Sequence, residues 1–423
     1  MKNFLIIIFF FSSNIAQAQI QFDRADSLRG SLSKCRNYDV FYYQLELKVF
    51  PDSKSIAGSN TIFFSLEDSL DSLQIDLYEN LFIDSITWKL NYPINNYNVT
   101  LNIADYANIK DYYVTADQDT LQINYYVLPI NKSKAEKHFR QVKEMLSCFE
   151  KYFGPYPFIN DEYKLVEAPY WGMEHQSAIA YGNRYQNNEF GFDFIIVHES
   201  GHEYWGNSIS SWDHGQMWIH ESFTTYMEAL LVECQQGYQS SLAYLESQKP
   251  LIKNEMAIEQ PVGVNFNHWE DADMYYKGSW MLHTIRNIID DDERWFNILR
   301  QLYETYKISI VNSSQIIEFI NDRIDHDLEP VFEQYLQQKN PPILQYYWQR
   351  ENEDWKLYFR WNNVVENFEM PVKFKINGQL QTIYPTSDWQ SGKLKKKSNF
   401  SWATNLYYFI PEVLTEGEDE KQV

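Results

Sequence analysis

The chain is poor in cysteine, with three in 423 residues, at Cys35, Cys148 and Cys234. Exported proteins that depend on disulfides usually carry more cysteines, in even number. Neither a Cys-x-x-Cys pair nor a cysteine nucleophile signature occurs in the sequence. We therefore expect all three cysteines to be ordinary packing residues.

Positive charge is also scarce: 36 Lys and Arg residues stand against 58 Asp and Glu residues, which gives a formal net charge of −22. A protein that binds nucleic acid needs basic patches for the phosphates, so this composition argues against nucleic acid as a partner. The acidic excess favours solubility in water. It weakly favours cationic over anionic ligands.

No apolar run is long enough for a membrane span, which needs about 20 apolar residues. The run from Phe4 to Phe11 follows Lys2 and precedes "AQA" at residues 16–18, the small-x-small form that a signal peptidase cuts. We expect residues 1–18 to be a signal peptide. The mature chain, from Gln19, is expected to be exported to the periplasm or the extracellular space. No cysteine directly follows the cut, so lipid attachment there is not expected.

The pattern of apolar residues changes twice along the chain, and its length is too great for one core. From Tyr38 to about Leu128 the sequence alternates as strands do, for example in "VFYYQLELKVF" and "LQINYYVL". Helical spacing then dominates to about residue 338. After the linker "QQKNPPIL" strands return, and Asn377-Gly378 is typical of a hairpin turn.

The stretch "IIVHESGHEYWGN" places His198 and His202 four residues apart. A helix advances about 100° per residue, so both imidazoles can face one ion. A catalytic zinc site takes three protein ligands and one water. Eighteen residues lie between His202 and Glu221, which is on a second predicted helix and supplies the third ligand. We predict one zinc ion at these three residues rather than two histidines that share a helix face by chance.

Glu199 follows the first ligand and is turned away from its direction, so it can act as a base without binding the ion. A carboxylate that takes a proton from water attacking a carbonyl is the chemistry of peptide hydrolysis. The alternative role for Glu199 is a surface carboxylate. A structural zinc site is usually closed by four ligands, often cysteines, and no cysteine has a ligand spacing here. Six of the other histidines are expected to be structural, exposed or merely near the site; they are His138, His214, His220, His268, His283 and His326.

These motifs resemble those of a known family. "HESGH" followed by Glu221 is similar to the gluzincin ligand set, "GMEHQSAIAYGN" to the Gly-x-Met-Glu-Asn motif of the M1 zinc aminopeptidases, and "MYYKG" to their Tyr-x-Lys-Gly motif. The motifs occur in the family's order, with "YFGPYPF" ahead of them. The resemblance covers nearly the whole predicted mature chain and is strongest between Tyr125 and Arg286.

The resemblance implies a metallo-aminopeptidase that hydrolyses N-terminal residues from peptides with a free N-terminus. Glu174 would bind the free amine through a charge-assisted contact. The backbone of Gly172 and Met173 would pair with the extended substrate. Tyr275 would donate to the oxyanion; its alternative role is a packed aromatic at the start of a helix.

The resemblance also implies an α+β multidomain fold. We expect a shortened N-terminal β domain over residues 19–130 and a thermolysin-like, mainly helical catalytic domain over residues 131–338. A small C-terminal β domain over residues 345–413 and an acidic tail over residues 414–423 follow.

The sequence departs from the family pattern in two ways. Side chains that are uncommon in the motifs stand at Trp171, His175, Glu203, His220 and Ser222. They could reshape the first specificity pocket or the surroundings of the metal ligands. Near Ile86 to Trp88 the sequence lacks a stretch that, in the family, supplies part of the substrate cleft. A zinc-containing peptide-binding protein with impaired catalysis is therefore the alternative function. An epoxide hydrolase activity, found in some relatives, has no residue that selects for it here.

Overall fold

The computed structural model describes residues 38–66, 104–264, 266, 268–351, 354–394 and 399–414. The predicted signal peptide, Cys35, the junction near Ile86 to Trp88 and the tail from residue 415 lie outside these residues. The strands are β1 (Tyr38–Phe50), β2 (Ser55–Leu66), β3 (Ala107–Val114), β4 (Thr120–Val127), β5 (Tyr163–Glu167), β6 (Gly172–Met173), β7 (Ile179–Tyr181), β8 (Ile209–Ser211), β9 (Ser309–Val311), β10 (Ile343–Glu351), β11 (Asp354–Asn362), β12 (Val372–Ile376), β13 (Gln379–Ile383), β14 (Gln390–Leu394), β15 (Phe400–Trp402) and β16 (Ile410–Val413). The helices are α1 (Lys132–His138), α2 (Gln141–Tyr152), α3 (Phe194–Gly201), α4 (Trp218–Gln236), α5 (Tyr238–Gln248), α6 (Asp273–Ile289), α7 (Asp292–Tyr306), α8 (Ser313–Asn321) and α9 (Glu329–Gln337).

A five-stranded mixed sheet lies beside the helices, in the order β3-β4-β5-β7-β6. Strand β4 pairs in parallel with β5, and β6 pairs antiparallel with β7 at the end of the sheet. Leu121, Ile123 and Val127 are fully buried on β4, which confirms the strand predicted there. Strands β3 and β4 precede the predicted domain boundary at residue 130, yet they share this sheet with β5. The division of the chain into domains stays a prediction, while its mixed α and β character is established.

Helix α4 forms the centre of the helical region, where it packs against α2, α3, α5 and α6. A helix that is apolar nearly all round is expected in a core, and α4 is buried along most of its length. Gly201 permits the close approach of α3, because a Cβ at this position would lie 2.9 Å from Thr224 Cγ2. The start of α3 is fixed by Asp193, whose side chain accepts hydrogen bonds from the Ile195 and Ile196 backbone N–H groups.

The expectation that the cysteines are ordinary packing residues is wrong for two of them. Cys148 on α2 and Cys234 on α4 form a disulfide with their Cα atoms 5.9 Å apart. The packing of α2 on α4 brings these residues together although 86 positions separate them along the chain. The bond ties α2 to the C-terminal end of α4, the helix that carries Glu221 in its first turn.

Two small sheets form the C-terminal region, in the orders β14-β11-β10-β16 and β13-β12-β15. The predicted hairpin is confirmed, since β12 and β13 pair antiparallel across Asn377 and Gly378. Both turn residues have positive φ, 51° and 80°, as a tight hairpin turn requires. The predicted linker joins α9 to β10. Throughout the described ranges, no helix combines the length and apolar character that a membrane crossing needs.

Candidate metal centre and active site

Three ligand atoms come together between α3 and α4. The nearest donor atoms of His198, His202 and Glu221 all lie within 4.8 Å of one another, and the three side chains are buried. His198 lies on α3, His202 follows at the end of that helix, and Glu221 lies in the first turn of α4. We call these three residues the metal centre. In the part of the chain that the structure describes, no other group of three such residues comes as close.

Each imidazole of the metal centre is oriented by a hydrogen bond on its outer side. His198 Nδ1 lies 2.7 Å from Glu228 Oε1, and His202 Nδ1 lies 2.9 Å from the Trp205 carbonyl oxygen. An ionised carboxylate and a carbonyl oxygen only accept hydrogen bonds, so Nδ1 is the donor in both pairs. In the neutral imidazoles, Nε2 then carries a lone pair. Such an outer hydrogen bond is the arrangement that fixes the tautomer of a metal-ligating histidine.

The inner atoms of the metal centre fit a cation. The two Nε2 atoms lie 3.2 Å apart, and Glu221 Oε2 lies 3.4 Å from His198 Nε2 and 3.3 Å from His202 Nε2. Three lone-pair donors thus face one another, and no described residue donates a hydrogen bond to this Glu221 oxygen. Two imidazoles and a carboxylate are a donor set that zinc binds. A positive ion among them would remove the repulsion between the lone pairs.

The pKa values of these groups express the same preference for positive charge. Burial lowers the pKa of His198, but Glu221 and Glu228 outweigh burial and hold that pKa above its ordinary value. Burial also favours a neutral Glu221, but the neighbouring His202 and His198 lower the pKa of its carboxyl far below the usual range. The centre therefore holds an ionised carboxylate next to imidazoles that attract a proton or a cation.

Glu228 is a residue of the candidate site that the sequence interpretation missed. It is fully buried on α4, and its second oxygen accepts a 2.5 Å hydrogen bond from the Tyr244 hydroxyl. It lies seven positions after Glu221, which is two turns along the same helix face. A buried acid in a largely apolar helix is the signal that could have pointed to it.

Glu199 lies between the metal centre and the edge strand β6. It is 7% exposed, and burial raises the pKa of its carboxyl above the ordinary value, although His198 and His202 oppose this effect. A Cβ at Gly172 would lie 2.5 Å from Glu199 Oε1 and 2.7 Å from Ile195 Cγ2. Only glycine lets the β6 backbone come this close to the carboxylate.

The other residues of the Gly-x-Met-Glu segment lie at the end of the five-stranded sheet. Gly172 and Met173 form β6 and pair with Tyr181 and Ala180 of β7, so the second edge of β6 ends the sheet. Glu174 follows β6 and is half-buried. Its negative charge contributes to the raised pKa of Glu199, so the two carboxylates lie within electrostatic reach.

Tyr275 projects from the first turn of α6 towards the metal centre. Its ring stacks on His198 with 5.8 Å between ring centroids and an interplanar angle of 29°. Burial raises the pKa of its hydroxyl above the ordinary value, and the charges of Glu221, Glu174 and Glu199 add to this effect. The phenol therefore stays protonated and able to donate a hydrogen bond.

The start of α6 is fixed directly to α4 beside Glu221. Ser222 Oγ donates a 2.8 Å hydrogen bond to the Met274 carbonyl oxygen. Gly278 leaves room for this hydroxyl, because a Cβ at that position would lie 1.8 Å from Ser222 Oγ. Ser222, one of the uncommon motif residues, thus links the helix of a metal ligand to the helix of Tyr275.

Three more of the uncommon motif residues, Trp171, Glu203 and His220, have different environments. Trp171 is 71% exposed, whereas Glu203 is fully buried and burial raises the pKa of its carboxyl to about 8. His220 Nε2 accepts a 2.7 Å hydrogen bond from the Ser211 N–H group, which excludes it as a ligand through that atom. His138 and His283 are structural: His138 bonds Asp193, and His283 is fully buried.

Residues 138–335 match the family model described as Peptidase family M1 domain. Aminopeptidase B of Mus musculus is 20% identical over 263 residues, which are 58% of this chain and 39% of the mouse protein. Probable aminopeptidase 1 of Sulfurisphaera tokodaii is 20% identical over 315 residues, 69% of this chain and 39% of that protein. This chain therefore spans about two fifths of the length of either relative.

The fold has a counterpart among solved structures. Aminopeptidase A of Legionella pneumophila, solved in complex with aspartic acid, superposes with a TM-score of 0.63 at 17% sequence identity. The match covers 74% of this chain and 38% of the Legionella chain. The match of residues 138–335 to the family model, together with the shared fold, confirms the resemblance of the motifs to peptidase family M1.

Proposed function

We propose that this protein is a zinc-dependent aminopeptidase that hydrolyses N-terminal residues from peptides. The observation that carries the proposal is the convergence of His198 Nε2, His202 Nε2 and Glu221 Oε2, with outer hydrogen bonds that leave their lone pairs facing inward. The match of residues 138–335 to the peptidase family M1 model supports a peptidase that uses zinc. The individual roles below rest on the geometry of this chain.

One zinc ion would be held by His198, His202 and Glu221. Bound there, zinc supplies a Lewis acid that polarises a carbonyl and lowers the pKa of a water molecule. Glu228 and the Trp205 carbonyl would keep both imidazoles in the ligating tautomer.

Glu199 is proposed as the general base. Burial raises the pKa of Glu199 towards neutral pH. A raised pKa suits a carboxylate that accepts a proton from the attacking water and later passes it to the leaving amine. Tyr275 is proposed to donate a hydrogen bond from its hydroxyl to the oxyanion that forms when water adds to the scissile carbonyl. Its stacking on His198 and its raised pKa support this role.

Glu174 is proposed to select the chain end by binding the free ammonium group of the substrate. The open edge of β6, at Gly172 and Met173, offers backbone groups that pair with an extended peptide. A peptide that lies along β6 with its ammonium at Glu174 has few residues before the scissile bond, which favours release of single N-terminal residues.

We also propose that the protein is exported after cleavage near Ala18. The Cys148–Cys234 disulfide supports this, because such bonds persist in oxidising compartments and are rare in the cytosol. The domain layout predicted from the sequence is kept as a proposal. The mass of the protein recovered from a periplasmic or culture fraction tests the cleavage site.

The activity is tested on residues 19–423 with aminoacyl-coumarin substrates whose amine is free or acetylated. The proposal predicts cleavage of the free substrates alone, and loss of that cleavage when a chelator removes zinc. Cleavage of both forms would exclude an aminopeptidase. One bound zinc ion per chain without cleavage of any aminoacyl group would instead favour the peptide-binding protein.

A further inference from the structure

The short turn between β6 and β7 carries Glu174 and depends on the rest of the protein for its shape. It runs from residue 174 to residue 178, and its own backbone bonds include one from Ala178 N–H to the His175 carbonyl. Ser177 has a φ of 54°, in the left-handed region that a residue with a side chain seldom adopts. The buried Ser177 Oγ and His175 Nδ1 atoms bond no described group. Contacts from outside the turn must therefore hold this conformation.

Two side chains supply those contacts. Asn207 Nδ2 donates a 2.7 Å hydrogen bond to the carbonyl oxygen of Glu174. Glu203 Oε1 accepts a 2.8 Å hydrogen bond from the Ser177 N–H group, and Glu203 Oε2 accepts a 3.1 Å hydrogen bond from the Tyr156 hydroxyl. The turn is thus bonded at its first residue and near its last.

Both side chains come from the segment that directly follows His202. Glu203 is the next residue, and its carboxylate is fully buried. Asn207 lies four positions further on, and its own N–H group bonds the His202 carbonyl at 2.9 Å. The backbone that places a metal ligand therefore also places the carbonyl of Glu174 and the N–H of Ser177. Few rotatable bonds separate the metal centre from the turn.

We propose that Asn207 and Glu203 are positioning residues that set the distance from the metal centre to the Glu174 carboxylate. This inference rests on the proposed aminopeptidase function. With the turn held at both ends, an ammonium group at Glu174 is in register with a carbonyl at the metal centre. With the turn released, the metal centre still binds its ligands, but the contribution of the amine to affinity is lost.

The test compares two inhibitors of the full-length mature protein: leucine hydroxamate and 4-methylpentanoyl hydroxamate, which has the same skeleton without the amine. The ratio is the inhibition constant of the amine-free compound divided by that of leucine hydroxamate. It measures how much the amine contributes to affinity. A hydrogen bond to a charged group is worth about a tenfold change in affinity or more, so Asn207→Ala and Asn207→Asp should lower the ratio by about that factor. The affinity for the amine-free inhibitor and the zinc content should stay unchanged.

Conservative and matched variants separate positioning from general stability. Glu203→Gln keeps an oxygen that accepts from the Ser177 N–H and should retain the ratio, whereas Glu203→Ala should lose it. Asn321→Ala is the matched control: Asn321, the last residue of α8, is also half-buried, and its Oδ1 accepts a 2.8 Å hydrogen bond from the N–H group of Leu328, directly before α9. This variant should leave the ratio unchanged.

The outcomes distinguish the inference from the function on which it rests. An unchanged ratio in both Asn207 variants, or an equal loss of affinity for both inhibitors, would overturn the positioning role while leaving the aminopeptidase intact. A wild-type protein that binds the two inhibitors equally would overturn the amine-binding role of Glu174 itself. Where Glu203→Ala does not fold, the two Asn207 variants decide.

Discussion

The metal centre and the edge strand beside it differ in how completely the protein encloses them. His198, His202 and Glu221 are at most 6% exposed, and both imidazoles have outer hydrogen-bond partners. On β6 and just before it, Met173 is 45% exposed and Trp171 is 71% exposed. One side of the site is completed by the protein's own residues, and the other presents a strand edge.

The difference in exposure predicts which positions tolerate substitution. Each imidazole of the metal centre is oriented by an outer hydrogen bond, so a small alteration of these partners should be costly. The exposed side chains near β6 touch little of the protein, so their replacement should cost little stability. Four substitutions, taken in order of decreasing effect, test this contrast.

The largest effect is expected for Glu199→Gln. Glutamine has nearly the same shape but does not accept a proton, so kcat should fall by about 10²- to 10⁴-fold. Zinc content, measured by atomic absorption, should stay at the wild-type value because Glu199 is outside the metal centre. A variant that keeps kcat within about threefold of wild type would remove Glu199 from the role of general base.

The next effect is expected for Glu228→Gln, which changes only the outer partner of His198. Weakening that hydrogen bond should reduce zinc affinity by about 10- to 100-fold. Competition with a fluorescent zinc chelator measures this affinity. Unchanged zinc affinity would show that the hydrogen bond between His198 and Glu228 does not stabilise zinc binding. The metal centre would then be less sensitive to substitution than its burial implies.

Gly278→Ala tests the close contact between α4 and α6. The added methyl group would collide with Ser222 Oγ, and overpacking of this kind lowers the free energy of unfolding by about 1–3 kcal/mol. Urea unfolding followed by tryptophan fluorescence measures the change.

The double variant Ser222→Gly with Gly278→Ala is the control for that collision. It removes the hydroxyl that the methyl group meets and should regain most of the lost stability. Equal stability of the single and double variants would show that the contact does not limit the approach of α6.

The smallest effect is expected for Trp171→Ala. Because the indole is mostly exposed, the free energy of unfolding should change by less than about 0.5 kcal/mol. The same urea experiment measures it. A loss of several times that amount would mean that Trp171 packs against the protein. The residues near β6 would then not be more tolerant of substitution than those of the metal centre.

The sequence predicted the parts of the site that depend on local spacing. His198 and His202 could be identified because helix geometry turns their spacing into a common face. Glu199 was identified by its position directly after His198, and Glu221 by the eighteen residues that separate it from His202. The residues that support them could not. Glu228 acts on His198 only after α4 packs beside α3, and no pattern in the sequence names that partner.

The fold shows the same division between local and long-range information. The Asn377-Gly378 hairpin was predictable because its turn geometry requires those residues. The disulfide between Cys148 and Cys234 spans 86 positions, and the sequence gives no sign of the pairing. Alternation predicted β4 as a strand but not its parallel pairing with β5, since periodicity reveals the faces of a strand and not its neighbours.

The most direct test of the account is a zinc titration of the metal-free protein, with hydrolysis of a free and an N-acetylated aminoacyl-coumarin followed together. The account predicts no cleavage before zinc is added, a linear rise for the free substrate and a plateau at one zinc ion per chain. The acetylated substrate should stay intact throughout. Cleavage by the metal-free protein, or one bound zinc ion without cleavage of the free substrate, would contradict the account.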